Sequence, residues 1–252
     1  MLRYRVIPVL LLKNNGLVKT TRFKNPVYIG DPINAVKIFN EKEVDELILL
    51  DITATNEKRE PNYERIREIV SEAFMPVGYG GGINKLEQIK KLFKLGVEKV
   101  ILNTVTHLNP DLIKQAAQTF GNQSIVTAID FKKDLLGNYK VFTHSGNKMQ
   151  KCDLFSFIDM AEKNGAGEIF LNSIDRDGTM KGYDNSLIRK VSENMSIPII
   201  ASGGAGKILD FSEAIKAGAS AVSAGAMFVF QGVHRAVLIS YPKYEELEKL
   251  LN

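Results

Sequence analysis

The sequence contains no tryptophan and one cysteine, Cys152. A single cysteine excludes an intramolecular disulfide framework and a cysteine-rich zinc site, and it favours a reducing compartment. No apolar run approaches the roughly 18 residues of a membrane-spanning helix, and the first residues lack a small-residue cleavage site. These absences predict a cytoplasmic protein that needs no membrane, and we expect neither a metal nor a cofactor.

The sequence also lacks a strong excess of charge of one sign. Lysine and arginine number 33 and aspartate and glutamate 29, which leaves a formal net charge of +4. This small, evenly spread excess argues against a nucleic-acid partner and suits an anionic small molecule. At 44% hydrophobic and 25% charged residues, the 252 residues have ordinary globular composition. No linker-like segment divides them, so we expect a single domain over residues 1–252.

Short β-branched runs alternate with longer amphipathic stretches, as in parallel sheets with crossover helices. The eight predicted strands cover 4–12, 46–51, 76–79, 98–103, 124–130, 168–172, 197–202 and 219–224. The predicted helices cover 31–41, 62–74, 84–95, 185–194 and 209–217, with another beginning at Asn109-Pro110-Asp111. Eight β/α units in about 250 residues match the size of a (β/α)8 TIM barrel.

The two halves of the chain repeat each other at the predicted strand ends. Glycines of the Gly81-Gly82 turn recur as Gly203-Gly204 at an offset of 122 (204 − 82), and Asn103 corresponds to Gly225 at the same offset. This spacing predicts a two-fold internal repeat, although glycine-rich turns after strands are common in any α/β protein.

The repeated turns place two glycine clusters at opposite sides of the predicted barrel mouth. Glycine lets backbone N–H groups approach an anion closely, because no Cβ blocks the way. Two such clusters predict a ligand with a phosphate at each end. The clusters consist of Gly82, Asn103 and Thr104 on one side and Gly203, Gly204, Gly225 and Ala226 on the other.

Two carboxylates end strongly apolar runs. Asp130 follows an apolar run that ends at Ile129, and a carboxyl at the mouth of a partly apolar cavity is a candidate general acid or base. Asp51 ends another run, where holding the loop 52–55 is at least as good an explanation. The segment 173–179 adds two carboxylates and a guanidinium in one loop, which also fits a solvated turn.

Four charged residues stand at the opposite ends of the strands. They would form either a neutral, mutually paired ring at the barrel bottom or four ordinary surface charges. They are Arg5, Glu46, Lys99 and Glu168.

These motifs resemble, nearly end to end, the cyclase subunit of imidazole glycerol phosphate synthase, a TIM barrel of histidine biosynthesis that pairs with a glutaminase. The matching stretches include Gly30-Asp31-Pro32, Leu50-Asp51-Ile52-Thr53-Ala54, Gly80-Gly81-Gly82-Ile83, Asn103-Thr104, Ala128-Ile129-Asp130, Ser173-Ile174-Asp175-Arg176-Asp177-Gly178-Thr179, Gly182-Tyr183-Asp184 and Ala201-Ser202-Gly203-Gly204.

The resemblance implies a role for each group of residues. Ammonia from the glutaminase enters through a gate of four charged residues, here Arg5, Glu46, Lys99 and Glu168, and attacks a two-phosphate nucleotide intermediate at the mouth. The glycine clusters match the phosphate sites, and Asp177 and Gly178 belong to the ligand site. Lys19 matches a lysine of a mobile loop near the ligand, and Asp130 matches one of two catalytic aspartates.

The other catalytic aspartate of the family falls on Leu11, which can neither accept nor donate a proton. Losing one positioned acid or base typically lowers a rate by roughly 10²–10⁴. The segment 231–242 also departs from the family's usual helical end. Paralogues of this kind are associated with surface-polysaccharide pathways, in which the ammonia goes to an enzyme that amidinates a nucleotide-linked sugar.

Two alternative functions remain open at this point. A sugar isomerase of the sister barrel family shares the phosphate clusters and the paired aspartates, but it has no use for the charged gate and is weakened equally by Leu11. A non-catalytic barrel that binds and activates its glutaminase partner is the other alternative.

Overall fold

The computed structural model describes residues 4–251. Its strands are β1 (Arg5–Lys13), β2 (Gly16–Thr21), β3 (Lys24–Gly30), β4 (Leu47–Asp51), β5 (Val77–Gly80), β6 (Lys99–Leu102), β7 (Ile125–Lys133), β8 (Tyr139–Thr143), β9 (Lys148–Met149), β10 (Glu168–Ser173), β11 (Ile199–Ser202), β12 (Ala221–Ala224), β13 (Phe230–Gln231) and β14 (Ala236–Val237). Its helices are α1 (Pro32–Glu41), α2 (Tyr63–Ser71), α3 (Leu86–Lys94), α4 (Thr104–Leu108), α5 (Asp111–Phe120), α6 (Leu154–Lys163), α7 (Asn185–Asn194), α8 (Ile208–Lys216), α9 (Ala226–Val229) and α10 (Tyr244–Leu251).

Eight parallel strands close into a barrel. Their order around the ring is β1, β4, β5, β6, β7, β10, β11 and β12, and β12 pairs with β1 to complete it. Each of the eight predicted strands corresponds to one strand of this barrel, so the TIM-barrel prediction is confirmed. The boundaries shift by one to three residues: Pro76 precedes β5, β11 begins at Ile199 instead of residue 197, and β7 ends at Lys133 instead of residue 130.

Two antiparallel extensions of the barrel strands were not predicted. β2 and β3 fold back from the end of β1, and β8 and β9 fold back from the end of β7. Both extensions stand at the carboxyl ends of the barrel strands. Lys19 lies on β2, where it pairs with Val27 of β3, so the lysine that was expected on a loop stands on a strand of this extension.

Several helix boundaries also differ from the prediction. α2 stops at Ser71 instead of residue 74, and α5 begins at Asp111, the last residue of the predicted start Asn109-Pro110-Asp111. α4, α6 and α9 were not predicted. The predicted helix 185–194 coincides with α7.

The barrel interior and the helix layer form two separate apolar clusters. The larger one packs the outward faces of the strands against the helices. The smaller one fills the barrel itself and consists of Ile7, Val9, Ile48, Ile101, Val126, Ala128, Phe170, Ile200 and Ala221. Because side chains alternate along a strand, the polar residues at either end of this inner cluster also point into the barrel.

The internal repeat is visible in the backbone. In the first half the Gln88 side chain accepts hydrogen bonds from the N–H groups of Asn84 and Lys85 at the start of α3. In the second half Asp210 does the same for Gly206 and Lys207 at the start of α8, 122 residues later (210 − 88). Equivalent side chains therefore cap equivalent helices in the two halves.

Candidate active site

A cavity of about 480 Å³ opens at the carboxyl ends of the barrel strands. This volume lies within the range of ligand pockets, and the carboxyl end is where TIM barrels place their chemistry. All residues predicted for the ligand site line it: Lys19, Gly82, Asn103, Thr104, Asp130, Asp177, Gly178, Gly203, Gly204, Gly225 and Ala226. Leu11 lines the same cavity.

Asp130 is a buried carboxyl held between two amides. Asn172 donates to its Oδ1 at 3.0 Å, and Asn103 donates to its Oδ2 at 3.2 Å. Burial raises the pKa of Asp130 to about 7, the bond from Asn172 opposes that shift, and the charge of Asp177 adds to it. A carboxyl with this pKa populates both protonation states near neutral pH, which is what proton transfer requires.

Lys19 reaches from β2 into the barrel. Its Nζ donates a hydrogen bond to the backbone oxygen of Val9 at 2.5 Å. Val9 lies two residues before Leu11 on β1. A Cβ built on Gly225 would lie 2.0 Å from this amine, so the ammonium stands directly against the second glycine cluster. Burial lowers the pKa of Lys19 to about 8, although the nearby Asp177 carboxylate acts in the opposite direction.

Asp177 connects the loop after β10 to the first extension. Its carboxylate accepts a hydrogen bond from the Thr20 hydroxyl at 3.1 Å, and its backbone oxygen accepts one from the N–H of Arg22 at 2.9 Å. Burial raises the pKa of Asp177, and the Lys19 ammonium counteracts this. The solvated-turn interpretation therefore does not hold for this residue.

The two glycine clusters face each other across the mouth, after β5 and β6 on one side and after β11 and β12 on the other. Gly204 has a φ of +121°, and a Cβ there would lie 2.2 Å from the Gly182 oxygen. Gly82 has a φ of +72°, and a Cβ there would lie 2.6 Å from the Arg59 oxygen. Both positions require glycine, and both bring backbone to the cavity wall.

Asp51 has a structural role. Its Oδ1 accepts hydrogen bonds from the N–H groups of Thr53 and Ala54 at 3.0 Å each, and its Oδ2 faces Arg59 at 3.3 Å. A carboxylate with these partners is committed to shaping the loop after β4. Of the two explanations that the sequence left open, the structure favours this one.

The four charged residues at the opposite end form a closed ring. Arg5 pairs with Glu46 at 2.5 Å and also with Glu168, while Lys99 pairs with Glu46 at 3.0 Å and with Glu168 at 2.9 Å. The two carboxylates are buried, so they are not ordinary surface charges. Within this ring, the buried Glu46 Oε1 has no hydrogen-bond partner among residues 4–251.

Sequence reasoning missed Asn172 and the second extension as parts of the site. Asn172 ends the predicted strand 168–172, the same kind of position that identified Asp130, so a signal was present. The tip of the second extension has no comparable signal: His144 donates its N–H to the Thr104 hydroxyl at 3.0 Å, and Ser145 donates to the Ile52 oxygen at 2.8 Å.

The described part of the chain contains no group of three or more histidine, cysteine, aspartate or glutamate side chains that could hold a metal ion. Among the same residues, no helix is both long and apolar enough to cross a membrane.

Comparison with known proteins places this geometry in a family. The model of the histidine biosynthesis protein family matches residues 5–234, which include both glycine clusters, Asp130 and the four-residue ring. The chain belongs to this family.

Individual relatives in the family are similar over nearly their whole length. A Pseudomonas aeruginosa protein, provisionally named imidazole glycerol phosphate synthase subunit hisF2, is 53% identical over 98% of this chain and 99% of its own. A Leptospira interrogans protein with the provisional name HisF is 48% identical over 99% of each chain. A Thermotoga protein named imidazole glycerol phosphate synthase subunit HisF is 44% identical over 96% of each. The chain is therefore HisF-like, and the predicted resemblance is confirmed.

Proposed function

We propose that the chain is the cyclase-type subunit of a glutamine amidotransferase of the imidazole glycerol phosphate synthase type. In this proposal it forms a heterodimer with a glutaminase, receives ammonia at the charged ring and binds a two-phosphate ligand at the mouth. The observation that supports this most strongly is that a HisF-like chain has two polar barrel ends, the charged ring and the mouth, with an apolar interior between them. A single barrel domain over the whole chain is part of the proposal, and residues 1–3 and 252 lie outside the described residues.

The barrel interior suits neutral ammonia. The inner apolar cluster occupies the space between the ring and the cavity, and moving an ammonium ion into such surroundings costs several kcal/mol while ammonia crosses with a far smaller penalty. The free Glu46 Oε1 at the entrance is an acceptor for the N–H groups of an arriving ammonia molecule. The ring and the apolar interior together therefore favour passage of ammonia in its uncharged form.

The mouth suits a ligand with two phosphates. The glycine clusters supply backbone at opposite walls, Lys19 supplies a buried cation beside Gly225, and Thr104 and Asn103 supply polar side chains beside Gly82. Asp130 lies between the two clusters along the ring of strands, where it can exchange a proton with the middle of the ligand.

Leu11 makes ring closure at this mouth slow. It sits at the end of β1, across the ring from Asp130 on β7, and offers only an alkyl group to the cavity. We propose that the ammonia is instead passed on for amidination of a nucleotide-linked sugar in surface-polysaccharide synthesis. The same leucine fits a second candidate function, a barrel that only activates its glutaminase partner.

Replacing Lys99 with methionine tests ammonia transfer through the ring. The substitution removes both Lys99 ion pairs and leaves a flexible apolar chain at the entrance, so glutamine hydrolysis by the partner should continue while ammonia delivery to the mouth falls. The measured quantity is the ratio of ammonia incorporated into the amidinated sugar to glutamate formed. Lys90→Met, on the exposed face of α3, is the matched control. An unchanged ratio in Lys99→Met means that ammonia does not pass through the ring.

A further inference from the structure

A second, smaller cavity lies on the other side of the loop that borders the mouth. This crevice has a volume of about 340 Å³ and lies between β7, the turn after β2 and the loop after β10. The loop separates the two cavities, because Asp177 and Gly178 line the mouth while Asp175 and Arg176 line the crevice.

The crevice is electropositive. Four cations line it, Arg22, Lys133, Arg176 and Lys181, against two carboxylates, Asp175 and Asp184. Lys133 pairs with Asp184 at 2.9 Å, and Asp175 accepts a hydrogen bond from the Lys133 N–H at 3.1 Å. The remaining three cations therefore face only one carboxylate.

Several hydrogen-bond donors in the crevice have no protein partner. Arg22 bonds the Asp175 oxygen through Nε, and Arg176 bonds two backbone oxygens through Nη1, which leaves their other guanidinium N–H groups free within the described residues. Lys181 has no ion pair there either. The Ser173 hydroxyl is the most telling: Ser173 is only 3% exposed and lines the crevice, yet its hydroxyl bonds to nothing in residues 4–251.

We infer that this crevice is a second anion site, separate from the mouth, that binds a phosphoryl group. Guanidinium and ammonium groups around a buried hydroxyl match the three acceptor oxygens of such a group, and bonds between charged partners are the strong ones. An uncharged ligand would leave the cations without compensation. The inference goes beyond the function proposed for the mouth and does not depend on it.

The site is connected to the mouth through Arg22. The Arg22 N–H bonds the Asp177 oxygen, and Lys19 stands three residues earlier on β2. An anion that holds the Arg22 side chain in the crevice also holds β2, and with it the Lys19 amine, against the loop after β10.

Inorganic phosphate is the probe for this site. Crystals of the full chain soaked in phosphate should show density in the crevice within reach of Ser173, Arg22 and Lys181. The double variant Arg22→Gln, Lys181→Gln should empty the crevice, and calorimetric titration should show the affinity of this site reduced by about tenfold or more. Lys132→Gln is the control, because the Lys132 amine lies over the Phe142 ring and outside the crevice.

The outcomes separate this site from the mouth. No density in the crevice at phosphate concentrations that fill the glycine clusters overturns the inference. Crevice density that survives the double substitution identifies an adventitious ion only, and overturns it as well. Density in the crevice with the glycine clusters empty supports the second site and contradicts the two-phosphate mouth.

Discussion

Asp130 shows how burial can shift the pKa of a carboxyl into the range that is useful for proton transfer. The ordinary pKa of an aspartate carboxyl is 3.8, whereas the pKa of Asp130 in the cavity is about 7, mainly because burial penalises the charged form. The amides of Asn103 and Asn172 fix its orientation without neutralising it. A group that titrates near neutral pH in a ligand-sized cavity is a functional candidate on physical grounds.

The same shift predicts a pH dependence of stability. Between about pH 4 and pH 7 the folded protein holds a proton on Asp130 that the unfolded chain has lost, so the free energy of unfolding falls as pH rises through this window. Asp130→Asn removes the ionisable group. The free energy of unfolding of the variant relative to that of the wild type should therefore rise from pH 4 to pH 7 and level off above it, by on the order of a few kcal/mol at most.

Thermal unfolding at a series of pH values measures this difference. Asp134→Asn, in the exposed turn between β7 and β8, is the control and should show no such rise between pH 4 and pH 8. Parallel curves for Asp130→Asn and the wild type would mean that Asp130 stays ionised in the folded protein.

Residues at strand ends could be predicted in part from the sequence. Asp130 stands out because a carboxylate ends an apolar run, and the glycines stand out because they repeat at a fixed offset. Two contacts that decide their roles are long-range: Lys19 meets Gly225, and Asp130 meets Asn172, only after the chain has closed. A sequence pattern specifies which residues end a strand, but not which of them face each other.

At the scale of elements, the paired caps of α3 and α8 are the clearest trace of the repeat. Asp210 accepts two backbone N–H groups before α8 and is buried, so Asp210→Ala leaves two donors without a partner. We expect a loss of about 1–2 kcal/mol in the free energy of unfolding, measured by urea denaturation.

The matched control for this cap is Glu213→Ala, one turn further along the exposed face of α8, which should change stability by less than about 0.5 kcal/mol. Gln88→Ala, the equivalent change before α3, should behave like Asp210→Ala. Equal effects of Asp210→Ala and Glu213→Ala would show that the cap contributes little.

The barrel strands could be predicted because each is a short apolar run between turns, and both periodicity and length are local properties. The two antiparallel extensions could not, since they are stabilised by pairing with the ends of β1 and β7. α6 had a local signal that was not used: Asp153 caps it, and Leu154, Phe157, Ile158 and Ala161 follow at helical spacing. Short helices such as α4 and α9 have too few residues to show a period.

At the scale of the whole molecule, the barrel has two chemically distinct ends joined by an apolar interior. One end is a compact, neutral ring of four charges, and the other is a wide cavity with a buried acid and a buried amine. This polarity, in a HisF-like chain, is the basis for proposing ammonia transfer from one end to the other. The sequence anticipated the mouth from the repeated glycines and from Asp130. It favoured the ring only through the family resemblance, because four isolated charges do not reveal that they meet.

We propose that Leu11 separates this barrel from an efficient cyclase. The decisive measurement is the rate of imidazole ring closure from the two-phosphate precursor and ammonium, for the wild type and for Leu11→Asp, with Leu11→Asn as the isosteric control that cannot ionise. We predict little or no product from the wild type, and a rise towards the roughly 10²–10⁴-fold contribution of one acid or base in Leu11→Asp but not in Leu11→Asn. Wild-type turnover of a few per second, within the ordinary range for enzymes, would contradict the claim and leave the chain a cyclase of histidine biosynthesis.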